Sequence, residues 1–258
     1  MKQIARTKFK DEFRNIYDAL RYLYRHKKHI SLTKTILANV KYFRISDAIK
    51  CPIVIGKKVD VKLGAIRVNC EIKPALIRIA TDLVPVVESG KDTTIIRNEG
   101  LIEFGGLFVC RSGARIMVRE GATLSIGNKV NLGHLSKMIC YKNISIGDDC
   151  RFSWECQIFD TDFHFLYNIK KEKYYPRVKP ILINDNVFVG NRCTIGKGTI
   201  LPKGTIVSCN SNVSGDFSQY DENILIKGNP ATFIKDGLCM VSSFYPEEEV
   251  RIAQMLHE

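Results

Sequence analysis

A six-residue period in the apolar positions dominates the chain between residues 183 and 216. Large aliphatic residues recur at every sixth position, and the position four residues after each one is mostly small or β-branched. The aliphatic column consists of Ile183, Val189, Ile195, Leu201, Val207 and Val213. A unit of six residues cannot bury its own apolar side chain, so consecutive units must stack on one another. The period therefore predicts a solenoid built from short β-strands.

The same period continues, less regularly, towards the N-terminus. A loose register begins at Ile96, sharpens from Ile126 and resumes at Ile146 after a slip of two residues. Three six-residue units make one three-sided turn, so we expect about four well-registered coils after residue 126 and about two irregular ones before it. Residues 51–97 contain short β-type runs and no helical period.

The register is interrupted between Ile158 and Ile183, where 25 residues stand in place of six. The extra residues are expected to leave the solenoid as a protruding loop over 159–180, and such insertions often carry function. After Val213 the period fades, and we expect Pro230 to end regular pairing. The last segment, 238–258, is predicted to be a tail with a short helix over 247–256.

The N-terminal segment, residues 1–50, contains an amphipathic pattern that predicts a helix over 8–25, ahead of a β-solenoid domain over 51–237. The apolar positions of this helix are Phe9, Phe13, Ile16, Leu20 and Leu23. The segment holds 13 Lys and Arg against 4 Asp and Glu, which is +9 of the net +12 of the whole chain. Two interpretations stay open. The helix packs on the solenoid or a neighbouring subunit, or it attaches to an anionic membrane surface through basic residues such as Arg25, Lys27 and Lys28.

Composition excludes several classes of protein. No apolar run reaches the roughly 18 residues of a membrane span, and the N-terminus lacks the apolar core of a signal peptide. No nucleic-acid-binding motif is present, so a nucleic-acid partner is not expected. The nine cysteines form no C-x-x-C pair, and Cys150, Cys156 and Cys193 fall at the small-residue position of the repeat. We interpret them as compact buried thiols in a reducing cytoplasm, with the protein in the cytoplasm or at the inner face of the membrane.

Three motifs carry a resemblance to a known family. They are DTDFH at 160–164, INDNVFVGNRCTIGKGTILPKGTIV at 183–207 and KGNPATFIK at 227–235. Together they resemble the hexapeptide-repeat acyltransferase superfamily and, within it, the enzymes of capsule and lipopolysaccharide clusters that O-acetylate sugars. The resemblance implies an all-β fold, a left-handed parallel β-helix with an N-terminal helical segment and a protruding loop. It also implies a homotrimer with acetyl-CoA bound between adjacent subunits, and no metal.

The resemblance assigns the catalytic base to His164, because the family's catalytic histidine occupies this loop. An alcohol is a poor nucleophile until its proton is being removed, and a neutral imidazole is suited to that task near neutral pH. If the segment is extended, Asp162 lies on the same side as His164 and would hold its ring in one tautomer. Asp162 and Asp160 have a second interpretation as acceptors for the backbone amides of a turn.

The resemblance also implies positions for the cofactor. Asn191 matches the acyl end of CoA, where its backbone N–H would donate to the developing oxyanion. Cys209, Ser214 and Gly215 match positions that line the pantetheine arm and the adenine. Relatives often carry a basic residue where this chain has Gly215 and Thr232. The cation for the CoA phosphates is therefore expected among Lys235, Lys227 and Lys203, each of which has an alternative as a solvated turn residue.

The acceptor site is less defined by the sequence. Asn131 and His134 lie one coil before the loop and are the candidates for contact with a sugar hydroxyl. Trp154 and Tyr167 would be able to stack on a sugar face. All four have a structural interpretation as well.

These assignments predict an acetyl-CoA-dependent O-acetyltransferase that acts on a sugar or glycan of a surface polysaccharide. The alternative is N-acetylation of an amino-sugar nucleotide, in which only the nucleophile differs. A γ-type carbonic anhydrase would need three histidines around zinc, and that spacing is absent. A non-catalytic trimeric scaffold is a further alternative, against which the retained DTDFH and GNPA segments argue.

Overall fold

The protein begins with helices. A computed structural model describes residues 2–81, 92–241 and 251–255, apart from the side chains of residues 2–11 and 13. The helices are α1 (Lys2–His26), α2 (Leu32–Tyr42) and α3 (Ile45–Ala48). No helix in this described part of the chain is long and apolar enough to cross a membrane.

Short strands follow the helices. They are β1 (Ile53–Ile55), β2 (Val59–Lys62), β3 (Ala65–Val68), β4 (Ile77–Ile79), β5 (Thr94–Asn98), β6 (Leu101–Phe104), β7 (Phe108–Cys110), β8 (Arg115–Val118), β9 (Thr123–Ile126), β10 (Val130–Leu132), β11 (Lys137–Cys140), β12 (Asn143–Ile146), β13 (Arg151–Phe152), β14 (Gln157–Phe159), β15 (Leu166–Asn168), β16 (Lys173–Tyr175), β17 (Ile181–Ile183), β18 (Phe188–Val189), β19 (Thr194–Ile195), β20 (Ile200–Leu201), β21 (Ile206–Val207), β22 (Asn212–Val213), β23 (Leu225–Gly228) and β24 (Ala231–Lys235).

The strands form three parallel sheets, and each coil of the chain adds one strand to each sheet in turn. Sheet A has the order β1-β4-β7-β10-β13-β18-β21-β23-β24, sheet B the order β2-β5-β8-β11-β14-β19-β22, and sheet C the order β20-β17-β12-β9-β6-β3. The architecture is a three-sided parallel β-helix. We call the edge between sheets A and B the AB corner, and the edge between sheets B and C the BC corner.

Each six-residue repeat forms one side of a coil, so successive repeats lie in successive sheets. Ile183 pairs with Leu201 in sheet C, Val189 with Val207 in sheet A, and Ile195 with Val213 in sheet B. All six side chains of the column are fully buried. The column found in the sequence therefore forms part of the core, because successive members point into the solenoid from successive sheets.

The coils before residue 126 differ from expectation. Three coils, beginning at Ile53, Ile77 and Phe108, precede β10, one more than expected. They differ in length, because Ile53 pairs with Ile77 and Ile77 with Phe108. Phe108 pairs with Val130 and Ile102 with Leu124, each 22 residues further along. Strands of three to five residues replace the two-residue strands of the later coils. The longer strands, and loops of unequal length between them, hide these coils from a search at period six. The coils are irregular as expected, but there are three of them instead of about two.

The N-terminal helices also depart from the predicted pattern. Helix α1 starts earlier than residue 8, and the side chains of Phe9 and Phe13 lie outside the described residues. Leu20 is exposed, because α1 packs on the solenoid through Tyr22 and Leu23 instead. Helix α2 was not predicted, although Ser31 caps it by accepting a hydrogen bond from the Lys34 N–H at 3.4 Å.

The loop and the C-terminal end complete the fold. The predicted loop contains an antiparallel hairpin formed by β15 and β16. Pro230 does not end regular pairing: it lies in the turn between β23 and β24, which pair antiparallel and extend sheet A. Of the predicted C-terminal helix, residues 251–255 are helical, and the rest of 247–256 lies outside the described residues.

The cysteines at the small-residue positions are part of the core. Cys150, Cys156 and Cys193 are fully buried and reduced. Burial raises the pKa of Cys150 and of Cys156 to about 12. A thiol with so high a pKa remains protonated near neutral pH and acts as a small apolar group.

Candidate functional site

At the AB corner the backbone turns of successive coils stack on one another, and three of the predicted site residues lie along this stack. The Glu155 N–H donates to the His134 carbonyl at 2.8 Å, the Arg192 N–H to Trp154 at 3.0 Å and the Asn210 N–H to Asn191 at 3.0 Å. These bonds place four side chains in one column along the corner: His134, Trp154, Asn191 and Cys209. Within the column His134 is buried, Asn191 is half-buried, and Trp154 and Cys209 are exposed.

The backbone N–H of Asn191 differs from those of its neighbours in the turn. The Gly190 N–H donates to Val207 at 2.8 Å, and the Arg192 N–H donates to Trp154 at 3.0 Å. Among the described residues no acceptor is found for the Asn191 N–H. An unpaired donor in a half-buried turn is available to a ligand.

The protruding loop leaves the solenoid at the BC corner, one edge away from that column. It follows β14 of sheet B and returns in β17 of sheet C. The next coil meets the loop where the Gly198 N–H donates to the Lys179 carbonyl at 3.3 Å. Ser214 and Gly215 are exposed at this corner one coil later, where Ile200 bridges to Asp216. The BC corner therefore brings together the loop, Ser214 and Gly215.

The base of the loop is anchored by an aromatic contact. Phe163 packs edge-on against Tyr141 at 5.9 Å and against Phe159 at 5.6 Å between ring centroids. Its backbone has a φ of 63°, in the left-handed region. A side chain of this size is rare in that region, so the turn is held by its surroundings. The neighbouring side chain, His164, is exposed.

Asp160 has the structural role that was the alternative for it. Its carboxylate is fully buried and accepts from the backbone N–H groups of Tyr141 at 2.7 Å, Lys142 at 2.7 Å and Asn143 at 3.0 Å. Burial raises the pKa of Asp160, and the three N–H donors act against that rise. Asp160 therefore fixes the turn between β11 and β12 on which the loop rests.

Asp162 is bound to a cation that the sequence analysis did not single out. Its carboxylate forms an ion pair with the Lys197 ammonium of the next coil, and its N–H donates to the Arg177 carbonyl at 3.0 Å. The left-handed Phe163 interrupts the extended backbone that was assumed to align Asp162 with His164. The role of Asp162 in orienting His164 stays a prediction, and its pairing with Lys197 closes the loop onto the solenoid. The position of Lys197 in the G-K-G turn after β19 was the available signal for it.

The acceptor candidates are engaged within the chain. The Asn131 side-chain oxygen accepts from Arg111 Nε at 3.0 Å, and His134 is buried in the AB corner. Tyr167 packs against Tyr174 across the loop hairpin, with centroids 4.8 Å apart. Trp154 is the candidate whose ring is half exposed to solvent along the AB corner.

The candidate phosphate-binding lysines differ in their surroundings. Lys203 lies 3.8 Å from Glu222, which offsets part of its charge. Lys227 and Lys235 are exposed on the hairpin of β23 and β24. Gly215 has a φ of 110°, so a side chain would be strained there. Over residues 2–81, 92–241 and 251–255, no group of three or more His, Cys, Asp or Glu residues is arranged to hold a metal ion.

Comparison with known proteins identifies the relatives of this chain. No protein-family profile matches it. The chain is 27% identical over 150 residues, which is 54% of this chain and 74% of the relative, to the putative lipopolysaccharide biosynthesis O-acetyl transferase WbbJ of Escherichia coli K12. It is 27% identical over 146 residues to the polysialic acid O-acetyltransferase of Neisseria meningitidis, and this match spans 56% of this chain and 59% of that relative.

The chain is a homologue of surface-polysaccharide O-acetyltransferases. The structure of the polysialic-acid-specific acetyltransferase NeuO superposes with a TM-score of 0.51 and 21% identity, covering 62% of this chain and 77% of that one. This likeness concerns the fold, and it confirms the left-handed parallel β-helix expected of such an O-acetyltransferase homologue. The matches to these O-acetyltransferases also confirm the family resemblance that the three sequence motifs carried.

Proposed function

We propose that the protein transfers an acetyl group from acetyl-CoA to a hydroxyl of a sugar in a surface polysaccharide. The observation that carries the proposal is His164, an exposed imidazole on a loop whose base is fixed by Asp160, Phe163 and the Asp162–Lys197 pair. The O-acetyltransferase names of the relatives support the reaction type, and the lipopolysaccharide and polysialic acid in those names support a glycan acceptor.

The proposed mechanism is a direct transfer. His164 takes the proton from the sugar hydroxyl as its oxygen attacks the thioester carbonyl. The negative charge that develops on the carbonyl oxygen accepts a hydrogen bond from the unpaired N–H of Asn191. When the tetrahedral intermediate collapses, the C–S bond breaks and the imidazolium returns its proton to the CoA thiolate. No covalent enzyme intermediate forms, so no cysteine is needed as a nucleophile.

The proposal includes a homotrimer, because the two halves of this site lie on different edges of one chain. Asn191 and Cys209 line the AB corner, whereas His164, Ser214 and Gly215 lie at the BC corner. Two corners of one three-sided solenoid face different directions, so the AB corner of one subunit must meet the BC corner of another. In a cyclic trimer each such contact makes one complete site. Acetyl-CoA would lie in this groove, with Lys235 as the proposed partner of its phosphates.

We also propose that the protein works in the cytoplasm at the inner face of the membrane. Nine cysteines, all reduced in the structure, suit a reducing compartment. The charge of +9 on residues 1–50 favours contact with anionic lipids.

His164→Gln is the direct test of the proposed function. Glutamine keeps a hydrogen-bonding side chain but cannot accept the proton, so we expect kcat to fall by about 10² to 10⁴. Binding of acetyl-CoA, measured by calorimetry, should be unchanged. Unchanged transfer in the variant would exclude His164 as the base, and loss in the control His29→Gln would point to a general folding defect. Lability of the product in mild base separates an ester from an amide.

A further inference from the structure

Helix α2 is amphipathic, but it packs on the solenoid with its more polar face and exposes its apolar face. The side chains it buries are Thr35, Ala38 and Asn39. The side chains it exposes are large and aliphatic: Leu32 is 52% exposed, Ile36 57%, Leu37 65% and Val40 66%. A surface helix in a globular protein normally buries its apolar stripe and exposes its polar one.

The reversal has a local cause at the end of the solenoid. Strand β1 is the first strand of sheet A, and only its far edge pairs with another strand, β4. On the other edge, Asn39 Nδ2 donates to the Ile53 carbonyl at 2.7 Å, and Asn39 Oδ1 accepts from the Ile53 N–H at 3.0 Å. The Ile55 N–H donates to Thr35 Oγ1 at 3.1 Å. The polar face of α2 therefore replaces a missing strand, and the apolar face must point away from the end of the solenoid.

Helix α3 continues the exposed apolar surface. Ile45 is 82% exposed and Ile49 is 49% exposed. Together with Ile36, Val40 and Phe43 they line an open depression of about 240 Å³. We call this surface, formed by the outward side chains of α2 and α3, the end face. Contiguous exposed aliphatic side chains of this kind mark interaction sites in soluble proteins.

The charges around the end face are almost all positive. Residues 27–50 contain six Lys and Arg and one acidic residue, Asp47. Asp47 is already paired with Lys50 at 2.8 Å. Lys41, in the last turn of α2, and Arg44, at the start of α3, are exposed near the aliphatic side chains. Apolar side chains flanked by exposed cations fit the interface of an anionic lipid bilayer, which offers both acyl chains and negative headgroups.

We propose that the end face binds an anionic membrane surface, with the aliphatic side chains of α2 and α3 inserted between headgroups. Lipid is favoured over the end face of a second copy because two such faces would bring like charges together. One chain can bind the membrane through this face alone. Tighter binding by avidity rests on the proposed trimer, in which three parallel solenoids would present three end faces to one membrane.

The test is flotation of the full chain with vesicles. The probes are vesicles of phosphatidylcholine with about one third phosphatidylglycerol, which is anionic, and vesicles of phosphatidylcholine alone. We expect binding to the anionic vesicles that weakens as salt is raised. The double variant Ile36→Gln/Val40→Gln should bind at least about tenfold more weakly, since it removes aliphatic side chains that insert. Ile234→Gln, at the opposite end of the solenoid, is the matched control and should bind as the wild type does.

Each contrary outcome has a distinct meaning. Equal binding by the double variant, or absence of binding by the wild type, would overturn the proposal. Equal binding to both kinds of vesicle would overturn the role of the flanking cations, Lys41 and Arg44. If sedimentation shows that Ile36→Gln/Val40→Gln changes the oligomeric state, the end face is an interface between copies. Acetyl transfer to a soluble acceptor is measured in parallel, so failure of the proposed reaction is seen separately from failure to bind lipid.

Discussion

Asp160 shows how one buried carboxylate prepares the loop at the scale of a single residue. Its two oxygens accept from three consecutive backbone N–H groups, in the turn of residues 141–143. In Asp160→Asn the amide group would face at least one of these donors, leaving a buried N–H without an acceptor. We expect the free energy of unfolding to fall by about 1 to 3 kcal/mol. Urea denaturation measures the change.

The matched control for Asp160→Asn is Asp221→Asn, which alters an exposed aspartate. It should leave the urea midpoint unchanged. Equal midpoints for Asp160→Asn and the wild type would mean that the three N–H groups find other acceptors.

Cys209 allows the predicted position of the cofactor to be tested chemically. Cys209 and Cys239 are exposed. Burial raises the pKa of Cys110 and of Cys140 to about 12, so these thiols should not react with iodoacetamide near pH 8. If acetyl-CoA covers Cys209, a concentration of about 100 times its Kd should slow alkylation of Cys209 about a hundredfold.

Mass spectrometry of the alkylated peptides measures both rates in one sample. Alkylation of Cys239 should be unaffected and serves as the internal control. Equal slowing at both sites, or none at Cys209, would argue against a cofactor along this part of the AB corner.

Some of these residues are predictable from the sequence and others are not, for physical reasons. His164 was selected through the family resemblance of the DTDFH motif, and its catalytic role stays a prediction. The extended backbone assumed between Asp162 and His164 is interrupted at Phe163, whose left-handed conformation no local sequence pattern indicates. Lys197 was missed because its partner, Asp162, is distant in sequence and meets it only when the loop folds back.

At the scale of the element, helix α2 depends on two polar side chains that serve strand β1. Asn39→Ala would leave the N–H and the carbonyl of Ile53 without partners at a buried edge. We expect a loss of about 2 kcal/mol in the free energy of unfolding and faster hydrogen exchange at Ile53. Hydrogen exchange with residue resolution measures the second effect. The control Asn212→Ala, at an exposed strand position, should change neither quantity.

Coils with short strands were easier to predict from the sequence than coils with long strands. Two-residue strands separated by four-residue turns give a strict six-residue period, so the coils after Ile183 were evident. The earlier coils use longer strands such as β5 and β8, whose alternating burial resembles that of an ordinary sheet. Helix α2 was missed although Leu32, Ile36, Leu37 and Val40 recur at helical spacing in the sequence.

At the scale of the whole molecule, the separation of the two corners makes the trimer testable by mixing variants. His164→Gln removes the proposed base at the BC corner, and Cys209→Trp should obstruct the AB corner. Each homotrimer is expected to be inactive. If subunits mix at random in equal amounts and each site takes one corner from each of two neighbours, activity should return to about a quarter of the wild-type value.

The measurement is acetyl transfer after the two variants are unfolded together and refolded. A mixture of separately refolded variants is the control and should stay inactive. No recovery in a mixture shown by sedimentation to contain mixed trimers would mean that each site is complete within one chain.

The hydrogen bonds from Thr35 and Asn39 to the outer edge of β1 also affect whether these molecules polymerise. An open terminal strand is a template on which the last strand of another solenoid can add, and repetition of that step builds a fibre. Two side chains that bond to N–H and carbonyl groups of β1 remove the template that sheet A would offer at this end. The residues that hold α2 in place therefore also disfavour polymerisation through sheet A.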